Sequence, residues 1–542
     1  MRHRRSGRIA AAVLCIGLVS AACGSDDNPV AVESNGAAAT GPVPSEPAVE
    51  DTTTSPAGTT DGTTDGTTDG TTDDTTEPDA TDPTNPPTDD AFGWERWEGG
   101  GAEIGTLEVP IDYDDPSAGT FELFVARHPA DPDERIGSLL VNPGGPGFGG
   151  SDFALYADQI YSEELLRHFD IIGWDPRGTG ETEPAIDCID DYDRYFASTD
   201  ITPDDEEERQ EIIDLAREFQ ELCAEKNADI LQHIGTNNSA RDMDAIRQAL
   251  GEDTISYFGF SYGSELGATW ATLFPETVRA AVLDGASDPE ADFITSGLQQ
   301  TAGFEASIED FLEACSEDEG CAFHNDGDAA AAFDELMLRL DEEPVPSVEG
   351  RPDVTRGVAL TAVGQAMYSE TLWSALEEAL ADAQDGDGAG LLELYDDYYQ
   401  RRSDGSYDNS LEAFQTISCM DDETRLTVEE EDATADEFNE VAPRFAPGTT
   451  GSYFCTFFPE AEEPRVDVTG AGAGPILVVG TTGDPATPLS STENMANALE
   501  EGVLLVVVAN QHTGYGVNDC SYETIDSYLI DLEVPEDGTR CE

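Results

Sequence analysis

Ile255-Ser256-Tyr257-Phe258-Gly259-Phe260-Ser261-Tyr262-Gly263 couples an apolar run to a G-x-S-x-G turn. A run of this kind suits a strand buried on both faces. The residues from Tyr262 to Phe274 have helical character until Pro275 ends it. Glycines on both sides of Ser261 permit the sharp, strained strand-to-helix turn that lifts a serine hydroxyl above a sheet. The plainer alternative is a Gly-rich turn with Ser261 as a helix cap. The surroundings favour the first. Apolar runs followed by turn residues recur at 138–141, 169–173, 278–283, 475–479 and 503–508. Helical patterns lie between them. Met243, Ile246 and Leu250 share one helical face, with Ser239 and Asp242 as an expected capping box and Gly251 as an expected stop. Strands alternating with helices predict an α/β fold with a mostly parallel central sheet, whose chemistry sits on the loops after the strand C-termini.

A serine nucleophile needs a base, and beyond Ser261 the chain contains two histidines. His324 stands three residues after Cys321 in a polar stretch with no strand before it, whereas His512 directly follows the 503–508 run. Position therefore selects His512 as the proton acceptor, over a surface or satisfied core histidine. An acid must orient the imidazole and stabilise its cation. Asp484 follows the penultimate run and gives the chain order Ser, Asp, His; Asp284, ending an earlier run, is its rival. The tetrahedral oxyanion needs two N–H donors. The Tyr262 amide is one. Gly145 of Gly144-Gly145-Pro146-Gly147 is the expected second, because Pro146 has no N–H. As a phosphate loop this segment fails: no Lys-Ser/Thr follows it, and no G-x-G-x-x-G stands at a dinucleotide position.

Composition removes other classes. Of 542 residues, 115 are Asp or Glu and 25 are Lys or Arg, a net charge of -90, with Lys226 the single lysine. Phosphate contacts need clustered basic residues, so nucleic acid is not an expected partner. So acidic a surface suits solubility or salty surroundings. Arg2, Arg4, Arg5 and Arg8 precede an apolar run from Ile9 to Ala22, too short to span a bilayer but suited to a secretion signal. Small residues before Cys23 resemble a bacterial lipobox, with Ser20 where leucine is usual; Cys23 is the expected lipidation site, against ordinary cleavage nearby. Residues 24–90 have no aromatic residue and carry four Gly-Thr-Thr-Asp repeats over 58–73, so residues 24–91 read as a disordered tether with globular sequence from 92. Eight cysteines besides Cys15 and Cys23 suggest four disulfides in an oxidising compartment, sequential neighbours being the simplest pairing. With no CxxC, a zinc site is not expected.

Gly144-Gly145-Pro146-Gly147, Asp175-Pro176-Arg177-Gly178, Ser261-Tyr262-Gly263, Leu283-Asp284-Gly285, Asp484-Pro485-Ala486-Thr487-Pro488 and the final His and Cys occur in order. Together they resemble the secreted tripeptidyl aminopeptidases of actinobacteria, of the proline iminopeptidase branch of the α/β-hydrolases, over roughly 92–542. The resemblance implies an α/β-hydrolase core at 92–290 and 466–542, a helical cap at 291–465, and Ser261, Asp484 and His512 as the triad. It implies serine exopeptidase action on peptides, releasing tripeptides through an acyl-enzyme, with no metal or cofactor. A cap over the serine would admit chain ends, and its carboxylates would meet the substrate's ammonium. The expected location is the outer face of the membrane or the envelope as a lipoprotein, or secreted; the membrane is a partner only through the lipid anchor. A carboxylesterase or lipase on the same triad is the first alternative. A non-catalytic envelope binding protein is the second.

Overall fold

The computed structural model describes residues 91–542 apart from 198–200, 204 and 450. The signal, Cys23 and the tether up to residue 90 lie outside the described residues. The strands are β1 (Glu95–Arg96), β2 (Glu103–Pro110), β3 (Thr120–His128), β4 (Gly137–Asn142), β5 (Phe169–Trp174), β6 (Ile255–Phe260), β7 (Val278–Asp284), β8 (Ile476–Thr481), β9 (Gly502–Val507) and β10 (Thr539–Cys541). They form one sheet in the order β1-β2-β3-β5-β4-β6-β7-β8-β9-β10. Every pair from β5 across to β10 is parallel, and β1, β2 and β3 add an antiparallel edge. The mostly parallel sheet agrees with the sequence pattern. Its central strands β4, β5, β6 and β8 are buried along their whole length, as apolar runs without alternation require.

The chain enters the parallel part at β4, runs outward to β5, and returns on the other side of β4 as β6. That reversal of direction opens a crevice at the strand C-termini. Among the described residues no named strand lies between β7 and β8; this stretch is built of helices, among them Phe293–Glu317, Ala329–Glu342, Arg356–Met367, Trp373–Gln384, Ala389–Tyr398 and Ser410–Asp421. They divide between two apolar clusters. Phe304, Phe311, Leu336, Val363, Leu380 and Tyr395 pack among themselves. Ala413, Ile417 and Met420 instead join the core cluster that contains Trp174, Met243 and Trp270. Among the described residues no helix is long and apolar enough to cross a membrane.

Four disulfides join Cys188–Cys223, Cys315–Cys321, Cys419–Cys455 and Cys520–Cys541, the sequential neighbours. The first ties the loop after β5 to the helix Glu206–Lys226, which the sequence pattern did not single out. Beside it the buried Glu412 carboxylate accepts the amides of Cys188 and Ile189 at 3.1 and 2.7 Å.

The helix before β6 runs over Thr236–Leu250 and ends at Gly251 in the left-handed conformation, as expected of that glycine. Its start corrects the capping-box expectation. Gly235 is the N-cap and Ser239 lies inside the helix. Asp242 is turned inward because Arg177 needs it: the two side chains are fully buried and meet at 2.6 and 2.8 Å. The guanidinium also donates to the carbonyls of Pro110, Ile111 and His233, and Tyr113 donates to Asp242 at 2.8 Å. A buried ion pair is tolerable only when its remaining donors are met in this way. Asp242→Ala leaves the Arg177 charge stranded, so the unfolding free energy should fall by about 3–5 kcal/mol. Urea unfolding followed by tryptophan fluorescence measures it.

Candidate active site

Parallel pairing sets the site. Asn142 at the end of β4 is level with Gly259 of β6. Phe260, the last residue of β6, pairs with Asp284 of β7, and Asp284 with Val479 of β8. Thr481 at the end of β8 pairs with Val507 of β9. Neighbouring strands lie about 4.8 Å apart. The loops bearing Gly144–Gly147, Ser261, Gly285, Asp484 and His512 therefore leave the same edge of the sheet in one row.

Ser261 stands between β6 and the helix Tyr262–Leu273 with φ 55° and ψ -124°. For a side chain with a Cβ this conformation costs on the order of 1–3 kcal/mol, and the surroundings hold it there. Its N–H donates to the carbonyl of Asp284 at 2.8 Å, and its carbonyl accepts Ser264 N–H at 2.7 Å. The next residue is anchored from below. The Tyr262 hydroxyl bonds Thr236 Oγ1, which donates to the Asp421 carboxylate at 2.5 Å. Burial pushes the Asp421 carboxyl up to about 7, against the pull of these Thr236 bonds.

The glycine loop after β4 presses on the turn. A Cβ on Gly144 would stand 2.8 Å from the Ser261 Cβ and 3.3 Å from the Tyr262 amide nitrogen, so only glycine fits. Gly144 N–H is already given to Asn142 Oδ1 at 2.9 Å. Gly145, expected as the second oxyanion donor, follows at φ 108° and is joined to Pro146 by a cis bond.

His512 and Asp484 are joined: Nδ1 lies 2.8 Å from Oδ1 and 2.9 Å from Oδ2. The Asp484 carboxylate also accepts the amides of Ala486 and Thr487 at 3.0 and 2.8 Å. Thr487 Oγ1 donates to its Oδ2 at 3.1 Å and lies 3.3 Å from His512 Nδ1. The Asp-Pro-Ala-Thr-Pro segment thus wraps its own carboxylate and offers it to the imidazole. The role of Thr487 was legible in principle, since Asp side chains bind backbone amides two or three residues on.

Asp284, the rival acid, does not touch the imidazole. Fully buried, it accepts Gly514 and Tyr515 N–H at 2.7 and 2.8 Å. Gly285, the next residue, packs against the imidazole: a Cβ there would stand 2.9 Å from His512 Cε1. His324, the rival base, lies with Nδ1 3.0 Å from the Cys315 carbonyl, beside a disulfide.

The imidazole is 10% exposed, and its Nε2 has no hydrogen-bond partner among the described residues. Free enzymes often hold such contacts long and tighten them on substrate. Tyr368, unmarked by any sequence signal, covers His512. Its carbonyl accepts His512 N–H at 3.0 Å, its ring meets the imidazole edge-on at 5.5 Å, and Ser369 forms an antiparallel bridge with Gln511. Burial disfavours the imidazolium, but the charge and hydrogen bond of Asp484, with Asp284 behind, outweigh it and raise the His512 pKa above 6.5. Burial pushes the Asp284 carboxyl up to about 7, against the Gly514 and Tyr515 amides and His512. Chemically the arrangement offers a half-buried alcohol on a strained turn, an oriented imidazole and backbone amides beside it.

A family model described as alpha/beta hydrolase fold matches residues 137–519. Among curated proteins, "Serine protease Hip1" of Mycobacterium tuberculosis is 37% identical over 462 residues, 82% of this chain and 88% of that one. "Carboxylesterase B" of the same species is 36% identical over 457 residues, 81% of this chain and 86% of that one. "Tripeptidyl aminopeptidase" of Streptomyces coelicolor is 30% identical over 448 residues, 79% of this chain and 81% of that one.

The electrostatics predict a titration. His512 should take its proton above pH 6.5, because the Asp484 charge favours the cation. In Asp484→Asn burial acts with less opposition, and the midpoint should fall. Histidine side-chain NMR across pH 4–9 reads both (roughly the span in which imidazoles titrate).

Proposed function

The chain belongs to the α/β-hydrolase family as a tripeptidyl aminopeptidase-like serine hydrolase, and from that premise we propose an exported serine exopeptidase that releases short peptides, tripeptides foremost, from peptide N-termini. The observation that carries this reading is the Asp484–His512 pair at the strand ends beside the strained Ser261 turn. In this mechanism Ser261 Oγ attacks the carbonyl carbon of a peptide bond. His512 Nε2 takes the hydroxyl proton, and Asp484 holds Nδ1–H and stabilises the cation. The amides of Tyr262 and Gly145 receive the oxyanion. The tetrahedral intermediate collapses, His512 gives its proton to the departing amine, and water hydrolyses the acyl-enzyme by the same route in reverse.

The helical segment 291–465 acts as the cap that limits access to chain ends, and Tyr368 shields the imidazole from water. The assignment of residues 92–290 and 466–542 to the catalytic core goes with it. Export is supported by the four disulfides. The lipid anchor at Cys23 rests on the sequence alone.

An esterase reading has its own observation, the relative named carboxylesterase B. Synthetic peptides analysed by mass spectrometry separate the two. The expected result is removal of three residues from free N-termini, with kcat/KM lost on N-acetylation and lower for p-nitrophenyl esters. A preference for blocked or ester substrates would refute the exopeptidase reading. Ser261→Ala should lower kcat by at least about 10⁴-fold with KM little changed.

A further inference from the structure

One residue touches both halves of the site without taking part in the proton path. The main-chain carbonyl of Asp284 accepts Ser261 N–H at 2.8 Å. Its carboxylate accepts Gly514 N–H at 2.7 Å and Tyr515 N–H at 2.8 Å, two and three residues beyond His512. Its own backbone is locked in the sheet, paired with Phe260 on one side and Val479 on the other. The residue after it packs against the imidazole. From Ser261 to the His512 loop the connection therefore passes through a single fully buried side chain planted on a rigid strand.

We propose that Asp284 is a positioning residue, which holds the loop of His512 in register with the Ser261 turn and, while ionised, adds a negative charge behind the imidazole. The inference rests on the serine-hydrolase reading above. A carboxylate suits this task better than an amide side chain. Both of its oxygens accept, so two adjacent N–H groups are held at once, whereas asparagine presents an NH₂ to one of them. The loop needs such a hold because Thr513, between the base and the bonded amides, has φ 72° and is itself held by Asp484 Oδ2 at only 3.4 Å. Asp484 fixes the imidazole through its ring nitrogen; Asp284 fixes the backbone from which the ring hangs. The charged and titratable groups that face His512 are Asp484 and Asp284 from the strand ends, with the Tyr368 ring across from them.

The test compares Asp284→Asn with Asp526→Asn. Asp526 accepts the Tyr515 hydroxyl at 3.1 Å from the C-terminal helix, so it supports the same loop but neither its amides nor the imidazole. The readout is the second-order rate of fluorophosphonate labelling of Ser261 against pH, beside kcat and KM on a peptide amide. Asp284→Asn should label about 10- to 100-fold more slowly, the cost expected when a reacting group is displaced by about 1 Å. kcat should fall in proportion with KM within about twofold, and the acid limb should move to lower pH because the negative charge that Asp284, when ionised, sets near the imidazolium is gone. Asp526→Asn should label within about twofold of the unaltered chain with the limb unmoved. Labelling of Asp284→Asn at the unaltered rate, or an unmoved acid limb, overturns the positioning role while leaving the hydrolase reading intact. Failure of the unaltered chain to label overturns both. Should Asp284→Asn not fold, amide hydrogen exchange on the unaltered chain decides. Gly514 and Tyr515 should exchange as slowly as the strands β6 and β7, and fast exchange there refutes the clamp.

Discussion

Parallel pairing at the strand ends is the constraint on which everything else depends. Gly145, Ser261, Asp484 and His512, the residues proposed for the chemistry, come from segments spread over more than three hundred residues of the chain. They become neighbours because Asn142, Gly259, Phe260, Asp284, Val479, Thr481 and Val507 occupy successive rungs of one ladder. A parallel ladder has nearly even spacing and slanted bonds, so it transmits position from strand to strand with little slack. Burial on both faces makes the register costly to slip, since a one-residue shift would turn every side chain to the opposite face. The strained φ of Ser261 is sustained by that rigidity: the rung below it, between Phe260 and Asp284, is the last regular pair before the turn.

The second theme is how so acidic a chain uses its few buried carboxylates. Several sit where backbone N–H groups or an arginine require an acceptor. Asp484 wraps the amides of Ala486 and Thr487, Asp284 those of Gly514 and Tyr515, Glu412 those of Cys188 and Ile189, and Asp242 receives Arg177. A buried carboxylate with two amide donors is a compact way to stop a loop from drifting, because both of its oxygens must be satisfied once water is excluded. Charge on the surface and charge in the core thus have separate tasks. The surface disperses the molecule, and the core acids pin irregular backbone that no strand or helix would hold.

Much of this was legible in the residues. The apolar runs of β4 to β9 announced themselves because strands buried on both faces cannot alternate, and all but the last led into a turn that contains glycine. The order Ser, Asp, His followed from which acids and histidines came directly after such runs. The antiparallel edge was overlooked although Thr120–Val125 does alternate, Phe121, Leu123 and Val125 being buried and Thr120, Glu122 and Phe124 less so. That pattern is short and sits among polar residues, so it carried little weight beside the longer runs. The helix start at Gly235 was misplaced because Ser239 and Asp242 have the spacing of a capping box, and only the tertiary demand of Arg177 turns Asp242 inward. Position favoured Asp484 and left Asp284 as its rival, since Asp284 ends β7 and Asp484 follows β8; their difference lies in which nitrogen each carboxylate meets. Nothing local in Tyr368 or Ser369 signals their bridge to the histidine loop, a contact between segments more than a hundred residues apart.

That bridge bears on how such proteins diversify. The helical layer is stitched to the His512 loop by main-chain hydrogen bonds and is not merely laid over the core. Exchanging the layer for that of a distant cousin would remove the carbonyl that receives His512 N–H and the rung at Gln511. Recombination that respects only sheet boundaries would therefore yield well-formed cores with an unsupported histidine loop. Lineages could remodel the outer helices freely while keeping the short piece at Tyr368 and Ser369, because the bonds that hold the histidine loop run through its backbone.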